Sequence, residues 1–196
     1  EVRRRRYQAL ALGNFWVELG LTPTVVSVPL ATLYAHDTKV VDGDAPRLSF
    51  VLHDVSFDLV SDYEPTLRLP HLPNRPNMGV RRWSLENGKV WLEGDDLEKM
   101  DLRLKEFADV ALHDQEAHLE SIERSDKRPI VHWLSDQNSI EGVLLGTKDD
   151  TCFRIEGRME RHKHPTGTIV QLERVGYARV MEDGSLMLCH EELQDE

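Results

Sequence analysis

The sequence predicts a mainly β protein, built as barrels rather than as a parallel sheet, behind a short α-helical segment. Three observations predict it. Short runs of alternating apolar residues follow one another closely after Pro46, Asn87-Gly88 and Asp183-Gly184 mark two tight hairpins, and helical periodicity is confined to the first forty-odd residues. Alternation sends successive side chains to opposite faces of a strand, and Asn-Gly or Asp-Gly supplies the positive φ angles of a type I′ turn. Many short strands at this spacing suit barrels better than βαβ units.

Each element follows in order. Leu12, Phe15, Trp16 and Leu19 recur at i, i+3, i+4 and i+7, the apolar stripe of a helix that ends at Gly20 with Pro23 just beyond. Ser27 is the expected N-cap of a shorter helix, with Pro29 in its first turn and Leu30, Leu33 and Tyr34 along it. "RLSFVLHDVSFDLV" reads as strand, and "LPHLPNRPNMG" as a Pro-rich connector. "RRWSLENGKVWLEG" reads as a hairpin about Asn87-Gly88, followed by one helical turn near "GDDLEKM". "LRLKEFADVALH" and "PIVHWLSDQNSIEGVLL" supply further strands, and "YARVMEDGSLMLCH" a second hairpin.

The 196 residues suffice for one or two cored domains, and 40% hydrophobic with 30% charged residues describe an ordinary soluble protein. No run of about 18 apolar residues would span a membrane. "EVRRRRYQAL" has no apolar stretch after its basic residues, so it is no secretory signal, and the lack of an initiator Met fits a fragment or a processed chain. Two cysteines, Cys152 and Cys189, fit reduced thiols in the cytoplasm. The net charge of −11 argues against a general nucleic-acid coat and restricts any such binding to a confined patch.

Enzyme signatures are absent: no Gly-rich phosphate loop, Gly-x-Ser-x-Gly elbow or His-Glu-x-x-His occurs, and no residue is assigned a catalytic or metal role. His113 and His118, five apart, do not share a helical face. His162 and His164 in "ERHKHP", with Cys152, Cys189 and His190, lack a paired Cys-x-x-Cys, so the segment reads as a solvated loop. Arg3, Arg4, Arg5 and Arg6 form the densest basic run, a solvated face or a phosphate contact. In "GTIVQLERVGYARV", Thr168, Val170, Leu172, Ala178 and Val180 form one buried face that Arg174 interrupts. Either a bulge at Val175-Gly176 turns Arg174 out to Glu173 or another surface acid, or the same bulge aims Gln171 and Arg174 at one ligand. An Arg fork and a carboxamide suit the edges of nucleobases.

Three stretches, "PNRPNMGVRRWSLENGKVWLEGDDL", "PIVHWLSDQNSIEGVLL" and "GTIVQLERVGYARV", resemble the C-terminal anticodon-binding part of the glutamyl/glutaminyl class I aminoacyl-tRNA synthetases. The opening "RRRRYQALALGNFWVELGLT…SVPLATLYAHDTKVVDGDAPRLSFV" is similar to the helical link that precedes it in archaeal glutamyl enzymes. The resemblance runs in order over essentially the whole chain. It implies a helical linker over residues 1–45 and an anticodon-binding region over 46–196 made of two β-barrels, the second built around 66–118.

The resemblance also assigns anticodon contacts to Arg47 in "APRLSFV", to Arg103 and Lys105 in "LRLKEF", and to Gln171 and Arg174 in "VQLER", with Lys39 and Arg3 to Arg6 at the tRNA backbone. One departure is His36-Asp37-Thr38-Lys39, which brings an acid to a linking loop expected near that backbone. Both ATP-binding signatures of class I are missing, so the chain looks like the C-terminal remainder of a cytoplasmic, monomeric synthetase. ATP and magnesium belong to the parent's catalytic domain, and no cofactor is expected here. The implied partner is the glutamate tRNA, with the glutamine tRNA as a second candidate, and the chain alone should bind tRNA without activating glutamate. A glutaminyl enzyme is the near alternative. An acidic β-barrel that docks proteins and no RNA is the alternative from another class.

Overall fold

The computed structural model describes residues 7–20, 27–62, 66–85, 88–124, 127–148 and 151–190. Helices α1 (Ala9–Leu19) and α2 (Leu30–Val41) come first. Sixteen strands follow: β1 (Arg47–Leu48), β2 (Phe50–Leu52), β3 (Asp54–Val60), β4 (Thr66–Pro70), β5 (Val80–Ser84), β6 (Lys89–Glu93), β7 (Asp101–Leu104), β8 (Asp109–His113), β9 (Glu116–Ser121), β10 (Ile130–Val131), β11 (Trp133–Ser135), β12 (Ser139–Lys148), β13 (Thr151–Glu160), β14 (Ile169–Leu172), β15 (Gly176–Val180) and β16 (Leu186–Leu188).

They form two nearly closed, barrel-like sheets of seven strands. The first runs β1-β14-β15-β16-β12-β13-β2, the second β10-β7-β8-β9-β3-β6-β11, and β4 pairs with β5 as a separate ribbon. Each sheet ends where it begins. Strands β1 and β2 are separated by Ser49 alone, and β10 and β11 by His132 alone. Leu48, Phe50, Leu144, Val170, Leu172 and Leu186 fill the first barrel. Phe57, Trp83, Leu92, Leu102, Val110 and Trp133 are among those that fill the second.

Several local expectations change in this frame. In α1, Ala11, Leu12, Phe15 and Leu19 face inward, while Trp16 is 65% exposed; Ala11 takes the place in the stripe expected for Trp16. Gly20, at φ 69, closes α1 by donating its amide to the Trp16 carbonyl. Helix α2 starts at Leu30 with Pro29, not Ser27, in the capping position. Among the described residues the runs flanking Asn87-Gly88 do not pair as the expected hairpin: β5 pairs with β4, while β6 lies between β3 and β11. Asn87 itself is outside the described residues. Tertiary pairing overrides the local turn signal here, since Trp83 of β5 has to reach the second core. The hairpin about Asp183-Gly184 does form: β15 pairs with β16, Gly184 adopts φ 83, and Asp183 Oδ1 accepts from the Ser185 amide and hydroxyl.

The Asp37 side chain is not near the RNA-facing solvent that the linking loop implied. Residues 36–39 are helical, and Asp37 is buried, accepting the Gln8 amide at 2.7 Å and facing His190 Nε2 at 3.0 Å. Tyr34 stacks on the His190 ring with centroids 5.1 Å apart. This cluster fastens the helices to the end of the first barrel. No helix among the described residues is long and apolar enough to cross a membrane.

Where the barrels meet, Glu160 at the end of β13 is buried and takes three donors: the Ser49 amide at 3.2 Å, Arg81 Nη1 at 2.5 Å and Trp83 Nε1 at 3.1 Å. Removing one member of a buried ionic cluster strands the other charge. Glu160→Ala should therefore cost about 3 kcal/mol, read as a lower denaturant midpoint at unchanged slope. A loss near zero would mean that the cluster is not what joins the barrels.

Candidate nucleic-acid interface

Parallel pairing of β1 with β14 sets Arg47 opposite Gln171 and Leu48 opposite Leu172. Both leucines are buried in the barrel, so alternation turns Arg47 and Gln171 away from that core. Arg47 Nε donates to Gln171 Oε1 at 3.0 Å across 124 positions of sequence. The Arg47 amide donates to the His71 carbonyl, and the Gln171 amide to the Pro46 carbonyl, each at 2.9 Å. Residues 72–75 consequently lie beside the pair. With Asp42, Gly43 and Ala45 from the end of α2, they line a cleft of about 230 Å³.

The carboxylates near this cleft are engaged. Asp42 accepts the Tyr177 hydroxyl at 2.5 Å, and Asp44 accepts Arg75 at 2.8 Å. Arg47 Nη1 lies 3.8 Å from Glu173 Oε1. Among the described residues no group takes the Gln171 amide nitrogen, so the cleft presents N–H donors from a carboxamide and a guanidinium lying side by side.

Glu173 connects this cleft to the second barrel. Its Oε2 accepts Lys105 Nζ at 2.8 Å and faces His132 Nδ1 at 3.1 Å. Burial pushes the Glu173 carboxyl up, but the hydrogen bonds and charges of His132 and Lys105 prevail and hold it at about 2. Lys105 is thus tied to Arg47 through one shared carboxylate.

Arg174 goes elsewhere. The stretch that reads as one interrupted strand is a hairpin, with Leu172 opposite Gly176 and a turn over residues 173–175. Arg174 occupies the tip at φ 65 and interrupts no buried face. Its guanidinium, 44% exposed, reaches Asp96 at 2.5 Å and Glu93 at 3.1 Å in the second barrel. The Asp96 hydrogen bond raises the Arg174 pKa against the effect of burial. Burial in turn raises the Glu93 carboxyl, against the pull of Arg174 and of the Leu52 amide.

Arg103 lies apart from the cleft as well. It is buried, with Nη1 donating to Asp109 at 3.0 Å and Nη2 to the Ile122 carbonyl at 3.1 Å. Lys39 is exposed in the last turn of α2, the helix whose end lines the cleft. Arg3, Arg4, Arg5 and Arg6 lie outside the described residues. Sequence reasoning missed Asn74 and Arg75, hidden in a stretch that read as a mere connector, and it missed Glu173 as the shared acceptor. Among the described residues no group of three or more His, Cys, Asp or Glu is placed to hold a metal.

Residues 45–127 match the family model described as the anti-codon binding domain of class I (E and Q) tRNA synthetases. Over this stretch the chain is similar to that family's anticodon-binding domain. The glutamate–tRNA ligase of Archaeoglobus fulgidus is 30% identical over 91% of this chain and 32% of its own length. That of Methanosarcina mazei is 32% identical over the same shares, and that of Methanocaldococcus jannaschii 26% identical over 96% of this chain and 35% of its own. The chain spans about a third of the length of the curated relatives it matches. The anticodon-binding match contains Arg47, the 72–75 wall and Lys105, while Gln171 reaches the cleft from outside the matched stretch.

A carboxyl with a pKa of about 2 when folded and an ordinary value of 4.5 stabilises the fold above pH 4.5, and that contribution is lost as pH falls toward 2. Glu173→Gln should lower stability at neutral pH by up to ~3 kcal/mol. It should also flatten the stability profile across that acidic window, measured by denaturant unfolding at successive pH values. A profile identical to the wild type would remove Glu173 from the junction's energetics.

Proposed function

We propose that the chain binds the anticodon loop of a tRNA as the recognition part of a glutamate–tRNA ligase. The observation that carries this reading is the meeting of Arg47 and Gln171, from opposite ends of the β region, in one cleft of about 230 Å³. Whole small-molecule pockets measure roughly 300–1,000 Å³, so a cleft of this size suits one flat group inserted from a larger ligand. Unstacked bases of single-stranded RNA are such groups, and they expose edges that paired side-chain donors can read. The N–H donors of Arg47 and Gln171 favour a base edge that bears carbonyl acceptors. Lys39, exposed on the helix that ends at the cleft, takes the backbone beside that base in this reading.

The matched relatives, glutamate–tRNA ligases by name, favour the glutamate tRNA over the glutamine tRNA as the partner. ATP and magnesium fall, in this reading, to a catalytic part outside these 196 residues. The sequence has neither class I signature. The chain by itself then binds tRNA and does not charge it. The net charge of −11 favours one competing reading, a barrel module that docks proteins.

Arg47→Ala and Gln171→Ala should each weaken binding of the glutamate anticodon stem-loop by about 1–3 kcal/mol while leaving thermal unfolding unchanged. Parallel titrations with the glutamine stem-loop separate the two tRNAs, and the salt dependence of binding identifies a true polyanion contact. Full affinity in both variants removes the cleft from recognition. A wild-type chain that binds neither RNA at low salt leaves the protein-docking reading in its place.

A further inference from the structure

Three histidines next to the cleft have no part in the reading above. His162 and His164 lie on the extended segment between β13 and β14, with their rings stacked at 5.5 Å and 24°. His162 Nδ1 accepts the His164 amide at 3.3 Å, which fixes the proton of the neutral ring on Nε2. The edge of His71 meets His164 with centroids 6.1 Å apart. His71 is also the residue whose carbonyl holds the Arg47 amide, and the cleft wall begins at Leu72. The histidine cluster and the cleft are therefore two sides of one stretch of chain.

Behind the cluster stands Arg81, across the β4–β5 ribbon. Its Nη1 is taken by Glu160, but its Nε is buried and, among the described residues, has no partner; the same holds for His71 Nδ1. Glu160 is the acid facing this side of the cluster, and Ser49, Arg81 and Trp83 already occupy it. Lys163 is exposed between the two stacked rings, and the neighbouring Arg161 donates to the Ser139 carbonyl. Burial lowers the His164 pKa, and the charges that lower it further, His162, His71 and Arg81, are all positive. Burial lowers that of His162 as well. On a chain of net charge −11 this is a local site short of negative charge, with orphaned nitrogens at its base.

We propose that His71, His162 and His164, backed by Arg81, form a phosphate subsite that holds a backbone phosphodiester of the RNA whose base enters the Arg47–Gln171 cleft. The proposal rests on the RNA-binding reading of that cleft. A phosphodiester carries a full negative charge and acceptor oxygens, and it favours protonated imidazole, so binding takes up protons. Because burial holds His162 and His164 below the ordinary histidine range, the phosphodiester draws a proton onto them as it binds and is held better as pH falls. The cleft reads the base while the histidines fix the strand, the usual division between specifying and positioning contacts.

The test is binding of the glutamate anticodon stem-loop to the whole chain at pH 6 and pH 8 across a salt series, with His164→Gln and His162→Gln as variants. The wild type should bind more tightly at pH 6, and each variant should lose that gain and lower the salt slope at pH 6 by about one. Arg47→Ala should weaken binding at both pH values and leave the pH gain in place. If the wild type binds RNA but the histidine variants keep its affinity, pH gain and salt slope, the subsite is overturned and the cleft reading stands. If the wild type binds no RNA, inorganic phosphate decides, followed through the histidine Cε1–H resonances. A saturable rise of the His164 pKa supports the phosphate subsite without the RNA, and no saturable change overturns it.

Discussion

Two carboxylates at the place where the barrels touch, Glu160 and Glu173, hold the arrangement on which everything else depends. Each seven-stranded sheet closes on itself across one residue, Ser49 in the first and His132 in the second. Those two residues line the same small cavity, together with Lys105, Arg81 and Glu173. A strand that ends at a seam leaves polar groups with no neighbour in the ladder, and burying them unpaired is costly. Glu160 satisfies the Ser49 amide, and Glu173 the His132 ring. The junction thus completes each barrel with a side chain of the first. Arg158 adds a third contact of this kind, stacking on Trp91 of the second barrel with its guanidinium carbon 3.5 Å from the ring centroid.

Buried ionic clusters add little net stability compared with a hydrophobic contact, but once formed they tolerate few alternatives, because any shift strands a charge. That property suits a recognition surface. Glu173 follows Gln171 by two residues, and its amide bonds to the Leu48 carbonyl at 3.4 Å. The carboxylate that joins the barrels therefore also orients the strand carrying Gln171 and the guanidinium of Arg47. On the opposite wall, Tyr177 fastens Asp42, and the Asp37–His190 contact fastens α2. With both walls fixed before a ligand arrives, little ordering is left to oppose binding.

How much of this was legible in the sequence depended on the range of the signal. The mainly β character, the hairpin about Asp183-Gly184 and the Gly20 stop to α1 rest on residues within a few positions of one another, and each is present. Asn87-Gly88 misled because a turn signal says nothing of whether its flanking runs have better partners elsewhere; β5 and β6 both do. Arg174 puzzled for a related reason. Counted by alternation it lies on a buried face, but the chain reverses at that residue, and a hairpin tip has no face to break. The Arg47–Gln171 pair came from the family resemblance, not from pattern, since no local periodicity links residues 124 apart. The partners of Glu173 and of the histidine pair were invisible for the same reason: Lys105, His132 and His71 lie on other strands and loops.

The charge of the chain then needs a physical account, because a polyanion has to approach a surface carrying eleven excess negative charges. Much of the positive charge is spent internally. Arg81 serves Glu160, Arg103 serves Asp109, and Arg174 serves Asp96 and Glu93. These are structural cations, and they give little long-range attraction for RNA because each is neutralised at its own site. An anticodon loop cannot therefore be drawn in by a broad field in the manner of a basic nucleic-acid coat. In the proposed reading its affinity comes from short-range fit, with a base in the Arg47–Gln171 cleft and few phosphate contacts beside it. Short-range contacts of that kind govern how long a complex lasts more than how fast it forms. In the proposed reading, with many cations committed elsewhere, discrimination between anticodons is set by release, at the cleft where the Gln171 amide nitrogen has no partner among the described residues.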